Sequence, residues 1–154
     1  MKTQQIKRLS KAELAYRLGC LMSEVKNNLK HRILVKIRES STNLSFEMAE
    51  VLGYLWKNDG INQREIADLT FRDKSSMTYL VDNLVERNFV TRVEDKNDRR
   101  NKLIYLTQEG QDLKEQLQPK VTEVYEKIAE ELEMKELQDC MMVLNKIIYN
   151  LVIL

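Results

Sequence analysis

Apolar side chains recur every three or four residues along two long stretches, one near each end of the chain. The first covers residues 9 to about 38, and the second begins near residue 134. This spacing is the period of one face of an α-helix. The apolar positions are Leu14, Leu18, Leu21, Met22, Val25, Leu29, Ile33 and Ile37 in the first stretch, and Leu137, Cys140, Met141, Leu144, Ile147, Ile148 and Leu151 in the second. The first helix is long for a small core and the second stripe is close to a coiled-coil seam, so both are expected to need a covering partner.

Three shorter helices are predicted between these stretches, because capping residues precede apolar patterns of helical period. The caps are Ser45, Asn62 and Asp73, whose side-chain oxygens can accept hydrogen bonds from the first turn. Gly60 is expected to end the first of these helices in the left-handed conformation. A short turn at residues 70–72 joins the other two. The inner face of the last helix, which runs to about residue 87, is predicted to hold Met77, Leu80, Val81, Leu84 and Val85.

Two β-type runs follow, at residues 89–93 and 103–106, with a polar loop between them. Their β-branched and aromatic composition predicts a hairpin with a protruding tip. Asn88, which tolerates left-handed backbone better than most residues, is the expected helix stop before the hairpin. Thr107 is predicted to cap a final pair of helices, the first of them over residues 108–133.

This order of elements predicts a mainly α fold: a winged helix-turn-helix whose wing is a small β-hairpin, with long N- and C-terminal dimerisation helices. The expected parts are residues 1–44, 45–107 and 108–154, intertwined in one domain. The chain has 154 residues, 43% hydrophobic and 32% charged, a composition typical of a soluble globular protein. We expect a cytoplasmic location and no membrane partner, because neither a leader pattern nor an apolar run of about 18 residues is found.

Charge is distributed unevenly along the chain. Residues 1–44 carry ten Lys/Arg against three Asp/Glu, and residues 108–154 carry five Lys against ten Asp/Glu. Opposite signs at the two ends favour their packing together, within or between chains, and the basic end also suits an anionic partner. Residues 60–107 are nearly neutral, with nine Lys/Arg and eight Asp/Glu, so DNA affinity would need two modules acting together.

Cys20 and Cys140 form no CxxC pair, and His31 is the only histidine. No metal site and no cofactor are therefore expected. Cys20 lies beside apolar neighbours and is interpreted as a buried structural residue, with a thiol sensor as the alternative interpretation. Cys140 is interpreted as core. No phosphate-binding glycine loop and no nucleophile–base pattern is found, so an enzyme is not expected.

The chemistry of a helix-turn-helix lies in its second helix, whose N-terminal residues meet base edges in the major groove of DNA. Hydroxyl, amide and cationic side chains, together with free backbone N–H groups at helix starts, suit bases and phosphates. The candidate DNA-binding residues in the helices are Gln63, Arg64, Arg72, Lys74, Ser75, Ser76, Thr78, Tyr79 and Asn83.

The hairpin tip adds Lys96, Asp98, Arg99 and Arg100 to the candidates. An arginine on a projecting hairpin can enter the narrow minor groove, where negative potential is concentrated. We expect Asp98 to hold Arg100 through a salt bridge and Arg99 to be the freer side chain, although the sequence does not separate the two arginines.

The segments at residues 73–90 and 95–110 resemble the MarR family of bacterial transcription regulators. The more specific match is Asp98-Arg99-Arg100, a β-run, and then the Leu-Thr-x-x-Gly pattern at residues 106–110. Tyr79 and Asn83 depart from the basic residues common in the family at those positions, so the family's base contacts cannot be transferred.

The resemblance implies a homodimer with interlocking terminal helices that binds a palindromic double-stranded operator. It also implies a repressor released by a small phenolic or anionic effector; no residue is assigned to an effector site. The residues expected at the dimer interface are Leu14, Leu18, Leu137, Met141, Leu144, Ile148 and Leu151. A winged helix that serves as a protein-interaction adaptor is the alternative, and the arginine-bearing wing and hydroxyl-rich helix start argue against it.

Overall fold

The computed structural model describes residues 9–40, 42–95, 98 and 101–153. Six helices and a three-stranded antiparallel sheet are found in this part of the chain, and the predicted fold class is confirmed. The elements are α1 Lys11–Arg38, α2 Phe46–Leu55, β1 Ile61–Asn62, α3 Gln63–Leu69, α4 Lys74–Glu86, β2 Val90–Glu94, β3 Lys102–Leu106, α5 Gln108–Ala129 and α6 Met134–Val152.

The predicted helix caps are confirmed. The side chains of Ser45, Asn62, Asp73 and Thr107 each accept a hydrogen bond from a backbone N–H two or three residues further on, at 2.8–3.1 Å. These bonds satisfy N–H groups that have no partner inside the helix. The start of α1 at Ser10, which pairs reciprocally with the first turn of the helix, was not predicted.

The sheet holds one strand more than the predicted hairpin. Ile61 and Asn62 form β1, which pairs with β3, so the strand order is β1-β3-β2. Two residues carry no alternating pattern that could reveal a strand in sequence. This short strand ties the start of α3 to the wing.

The left-handed stops at Gly60 and Asn88 are confirmed, with φ of 75° and 59°. Phe71, in the turn between α3 and α4, also has a positive φ, of 51°, and its side chain is 98% exposed. Sequence reasoning placed a turn there but gave no signal for this conformation, which bulky side chains rarely adopt.

The hydrophobic core lies where α2, α3, α4 and the sheet meet the C-terminal part of α1 and the first half of α5. The part of the molecule formed by α2, α3, α4 and the sheet is called here the winged lobe. Val85 was predicted on the inner face of α4 and this is wrong, since it is 39% exposed. It lies about 100° around the helix from the buried Leu84 and therefore falls outside the core.

The terminal helices are mostly uncovered in the single chain. On α1 only Ile33 and Ile37 are buried, and no residue of α6 is buried. Cys20 and Cys140, interpreted as buried, are both exposed in this chain, because their stripes have no partner within it. Exposure alone does not make Cys20 a sensor, so that alternative stays a prediction.

Helix α5 ends at Ala129, earlier than the predicted residue 133. The intervening residues form the turn into α6, and the backbone of Glu133 caps that helix. Within the described ranges, no helix is long and apolar enough to span a bilayer.

Hydrogen bonds and a close backbone approach add to the core contacts between the winged lobe and α5. They involve four residues, called here the joint: Trp56, Phe89, Thr107 and Gly110. The backbone N–H of Thr107 donates to the Phe89 carbonyl at 3.1 Å, and the Trp56 indole N–H donates to the Gly110 carbonyl at 2.9 Å. A Cβ on Gly110 would lie 2.1 Å from the Phe89 carbonyl oxygen. The glycine of the Leu-Thr-x-x-Gly pattern is therefore required by a backbone approach that no side chain permits.

We expect Gly110→Ala to lower the free energy of unfolding by about 1–3 kcal/mol or more, because backbone must move to admit the methyl group. Urea denaturation at fixed protein concentration measures this. Gly53→Ala in α2 is the matched control: a Cβ there would meet nothing within 4 Å, so helix propensity should raise stability by up to about 1 kcal/mol. Equal effects of the two substitutions would contradict the steric account.

Candidate nucleic-acid interface

Helix α4 turns one side to the core and the other to solvent. Its buried side consists of Met77, Leu80, Val81 and Leu84. The opposite side therefore faces outward with a fixed orientation. Ser75 and Tyr79 are exposed there, and Lys74 is exposed at the first residue of the helix. These three residues are called here the reading face.

The start of α4 is held by Asp73. Its carboxylate accepts from the Ser76 backbone N–H at 2.9 Å and from the Ser76 hydroxyl at 2.7 Å. The hydrogen bond from the Ser76 hydroxyl, followed by that from the Ser76 backbone N–H, lowers the pKa of Asp73 below its ordinary value. The predicted DNA contact of Ser76 must share a hydroxyl that already donates within the protein.

Gln63 and Thr78 are joined to the wing by a network centred on Arg92 of β2. The Gln63 amide N–H donates to Thr78 Oγ1 at 3.1 Å, and Arg92 Nε donates to the Gln63 side-chain oxygen at 3.2 Å. Arg92 also forms a salt bridge with Asp82 of α4. The network thus ties α3, α4 and the wing into one unit.

Arg92 and Asp82 were not among the candidates from sequence. In the sequence, Arg92 is a charged residue within a short strand and Asp82 a charged residue on the outer side of a helix. Residues that only face solvent show the same pattern. Tertiary proximity between residues ten positions apart brings them together. We assign them to holding the reading face in place.

Two other candidates are also engaged within the protein. Arg72 forms a salt bridge of 2.8 Å with Glu50 of α2, with side chains 19% and 29% exposed. The Asn83 amide N–H donates to the Tyr79 carbonyl at 2.8 Å. Arg64, by contrast, is exposed at the first turn of α3.

An open groove of about 450 Å³ runs between α3, α4 and β3. Four cationic residues and one acidic residue, Asp68, are among those that line it. The cationic residues are Arg64, Arg72, Lys74 and Lys102. Arg72 and Lys102 form salt bridges with Glu50 and Glu94, which leaves Arg64 and Lys74 as the groove cations without an ion pair in the described contacts.

The tip of the wing lies largely outside the described residues. This includes Lys96, Arg99 and Arg100, so the expected Asp98–Arg100 salt bridge lies outside them as well. The Asp98 carbonyl accepts from the Asn101 backbone N–H at 2.8 Å, which closes part of the turn. The roles assigned to the wing residues stay predictions.

A second cavity, of about 600 Å³, lies between α1, α2 and α5. Aromatic and aliphatic side chains line most of it, including Trp56 and Tyr125, and Lys57 and Lys114 add positive charge. Glu50 also lines it, so the residue that pairs with Arg72, just before α4, borders this cavity as well.

The model of the MarR family matches residues 42–101. The HTH-type transcriptional regulator TtmR of Methylorubrum extorquens (strain PA1) is 34% identical over 71 residues, which are 46% of this chain and 36% of that protein. The curated relative is thus matched over about a third of its length.

Solved structures match over nearly the whole fold. A MarR-family transcriptional regulator from Rhodococcus sp. RHA1 aligns with a TM-score of 0.76 and 29% identity, covering 90% of this chain and 96% of that one. CouR from Rhodococcus jostii RHA1, bound to p-coumaroyl-CoA, aligns with a TM-score of 0.72 and 27% identity, covering 84% and 90%.

A double-mutant cycle tests the network. Arg92→Met and Asp82→Asn should show a coupling of about 0.5–1 kcal/mol in urea denaturation, a modest value because the pair is partly solvated. The exposed pair Lys127–Glu130, changed to Met and Gln, is the control and should show almost no coupling. Equal coupling in both cycles would show that the Arg92–Asp82 pair holds α4 no more than an exposed ion pair would.

Proposed function

Because the chain belongs to the MarR family of transcriptional regulators, we propose that it acts as a homodimer that binds a palindromic double-stranded DNA operator. We further propose that it represses transcription and is released by a small ligand. The observation that carries DNA binding is the solvent-facing start of α4, with Lys74 and Ser75 beside a groove lined by cations.

The second helix of a helix-turn-helix enters the major groove at its N-terminal end. Lys74 and Ser75 are the first two residues of α4, and their backbone N–H groups lie at the positive end of the helix dipole. Phosphates beside the groove would meet Arg64 at the start of α3, and the wing arginines Arg99 and Arg100 would enter the adjacent minor groove. Asp98 and Lys96 complete the wing contribution that the sequence predicts.

Dimerisation follows from the uncovered stripes. Met141, Ile148 and Leu151 of α6 are 58–63% exposed, and Leu14 of α1 is 39% exposed. Soluble proteins rarely leave so large an apolar surface in water, so a second copy is the proposed cover. The net-basic residues 1–44 and the net-acidic residues 108–154 complement each other across such an interface. Twofold symmetry then implies a palindromic operator.

The proposed effector site is the cavity between α1, α2 and α5. Its aromatic lining with Lys57 and Lys114 suits an anionic compound with an aromatic ring. CouR, which shares the fold, is bound to p-coumaroyl-CoA in its crystal structure. The Glu50–Arg72 salt bridge connects this cavity to the turn that precedes α4, a route by which a ligand would affect DNA binding.

DNA binding is tested by fluorescence anisotropy on the duplex upstream of the protein's own coding sequence, with an unrelated duplex as competitor. We expect competitor-resistant binding. Lys74→Ala should weaken it and reduce the slope of log K against log salt by about 1 if the lysine meets a phosphate. Lys135→Ala, on exposed α6, is the matched loss of charge and should change neither quantity. No preference for any duplex, here or in a random library, would refute the proposal.

Dimerisation is tested by sedimentation. Leu144→Glu combined with Ile148→Glu places two charges in the α6 stripe, and we expect monomers or misfolded protein because a buried charge without a partner is costly. Asn145→Glu adds a charge to the same helix outside the stripe and should leave the dimer intact. A soluble dimer of the double variant would count against the α6 interface.

A further inference from the structure

Beyond its first residue, helix α4 lacks the side chains that usually read guanine. Its 13 residues contain one lysine, Lys74, and no arginine. In the major groove, guanine is most often recognised by an arginine or lysine that bonds O6 and N7 together. Lys74 is the first residue of the helix, so the turns beyond it hold no cation for this contact.

Three polar side chains beyond Ser75 on α4 are already engaged inside the protein. The Ser76 hydroxyl donates to Asp73, Thr78 Oγ1 accepts from Gln63, and the Asn83 amide donates to the Tyr79 carbonyl. Bonds from the same atoms to bases would compete with these contacts. Hydrogen-bond readout by the middle of α4 is correspondingly reduced.

The side chain that remains on this side is the large ring of Tyr79. It is 66% exposed and lies one turn beyond Ser75 on the reading face. An aromatic ring in this position leaves apolar surface in water, and contact with another apolar group would remove it. The apolar group that DNA presents in the major groove is the C5-methyl of thymine.

We propose that Tyr79 is a specificity-determining residue that reads thymine through its ring, by contact with the C5-methyl group. This inference rests on the proposed DNA-binding function. It implies that each operator half-site has an A·T pair opposite the second turn of α4. The adjoining Ser75 hydroxyl and Lys74 remain for polar contacts at the neighbouring pairs.

The test removes methyl groups from DNA and the ring from the protein. A preferred duplex is first selected from a random library with the wild-type protein, and each thymine of a half-site is then replaced by uracil, which differs by the methyl group alone. Affinities are measured for the wild type, Tyr79→Phe and Tyr79→Ala. Because Tyr79 is exposed, both variants are expected to fold, which circular dichroism and sedimentation check.

We expect at least one uracil substitution to weaken wild-type binding about fourfold, the worth of one buried methyl group. Tyr79→Phe should keep this sensitivity, because the ring is retained, whereas Tyr79→Ala should bind thymine and uracil duplexes equally. Tyr79→Arg should select a site with guanine at that position.

Three results would overturn the inference. Uracil without effect at every position would show that no methyl group is read. Uracil sensitivity that persists in Tyr79→Ala would assign the methyl contact to another residue, and its loss in Tyr79→Phe would assign recognition to the hydroxyl. In all three a selected duplex still exists, so the proposed function survives. Failure to select any duplex would instead refute that function and the inference with it.

Discussion

The close approach of Gly110 to the Phe89 carbonyl constrains how the winged lobe meets α5. The C-terminal end of α4, the start of β2 and the first turn of α5 converge there, and Trp56 of the segment after α2 closes the contact from the other side. Thr107 both caps α5 and donates its hydroxyl to the Asn88 carbonyl at 2.5 Å. A change in the angle between the winged lobe and α5 would alter these contacts and the packing of Leu113 and Leu117 in the core.

The geometry of the joint matters because a dimeric DNA-binding protein must hold its two DNA-binding helices at a defined separation. The two recognition helices of a dimer must lie about one helical turn of DNA apart, or a multiple of it. In the proposed dimer, α5 carries each lobe from the interface formed by the terminal helices. In that dimer, the packing of the terminal helices would set the distance between the two reading faces through the joint. A ligand between α1, α2 and α5 would bind next to the joint.

Within the lobe, polar residues divide into those that hold the structure and those that face outward. Arg92, Asp82 and Gln63 connect three elements, and Arg72 is held by Glu50. A partly buried charge that has a partner is less available to DNA than an exposed one, because binding DNA would break a contact already made. Lys74, Ser75 and Tyr79 have no such role in the described contacts, which concentrates the proposed readout on few side chains.

The sequence by itself determined the elements, since caps such as Asp73 and Thr107, the Asn88 stop and the period of the apolar residues are local signals. It also determined that α1 and α6 carry stripes too apolar to remain in water. The tertiary structure decided what depends on distant neighbours: the two-residue strand β1, the exposure of Val85, the left-handed Phe71, and the commitment of Gln63, Arg72 and Thr78 to internal bonds. The physical reason is that a side chain's hydrogen-bond partners and burial are set by packing across elements, and a one-dimensional pattern carries the period of an element without its neighbours.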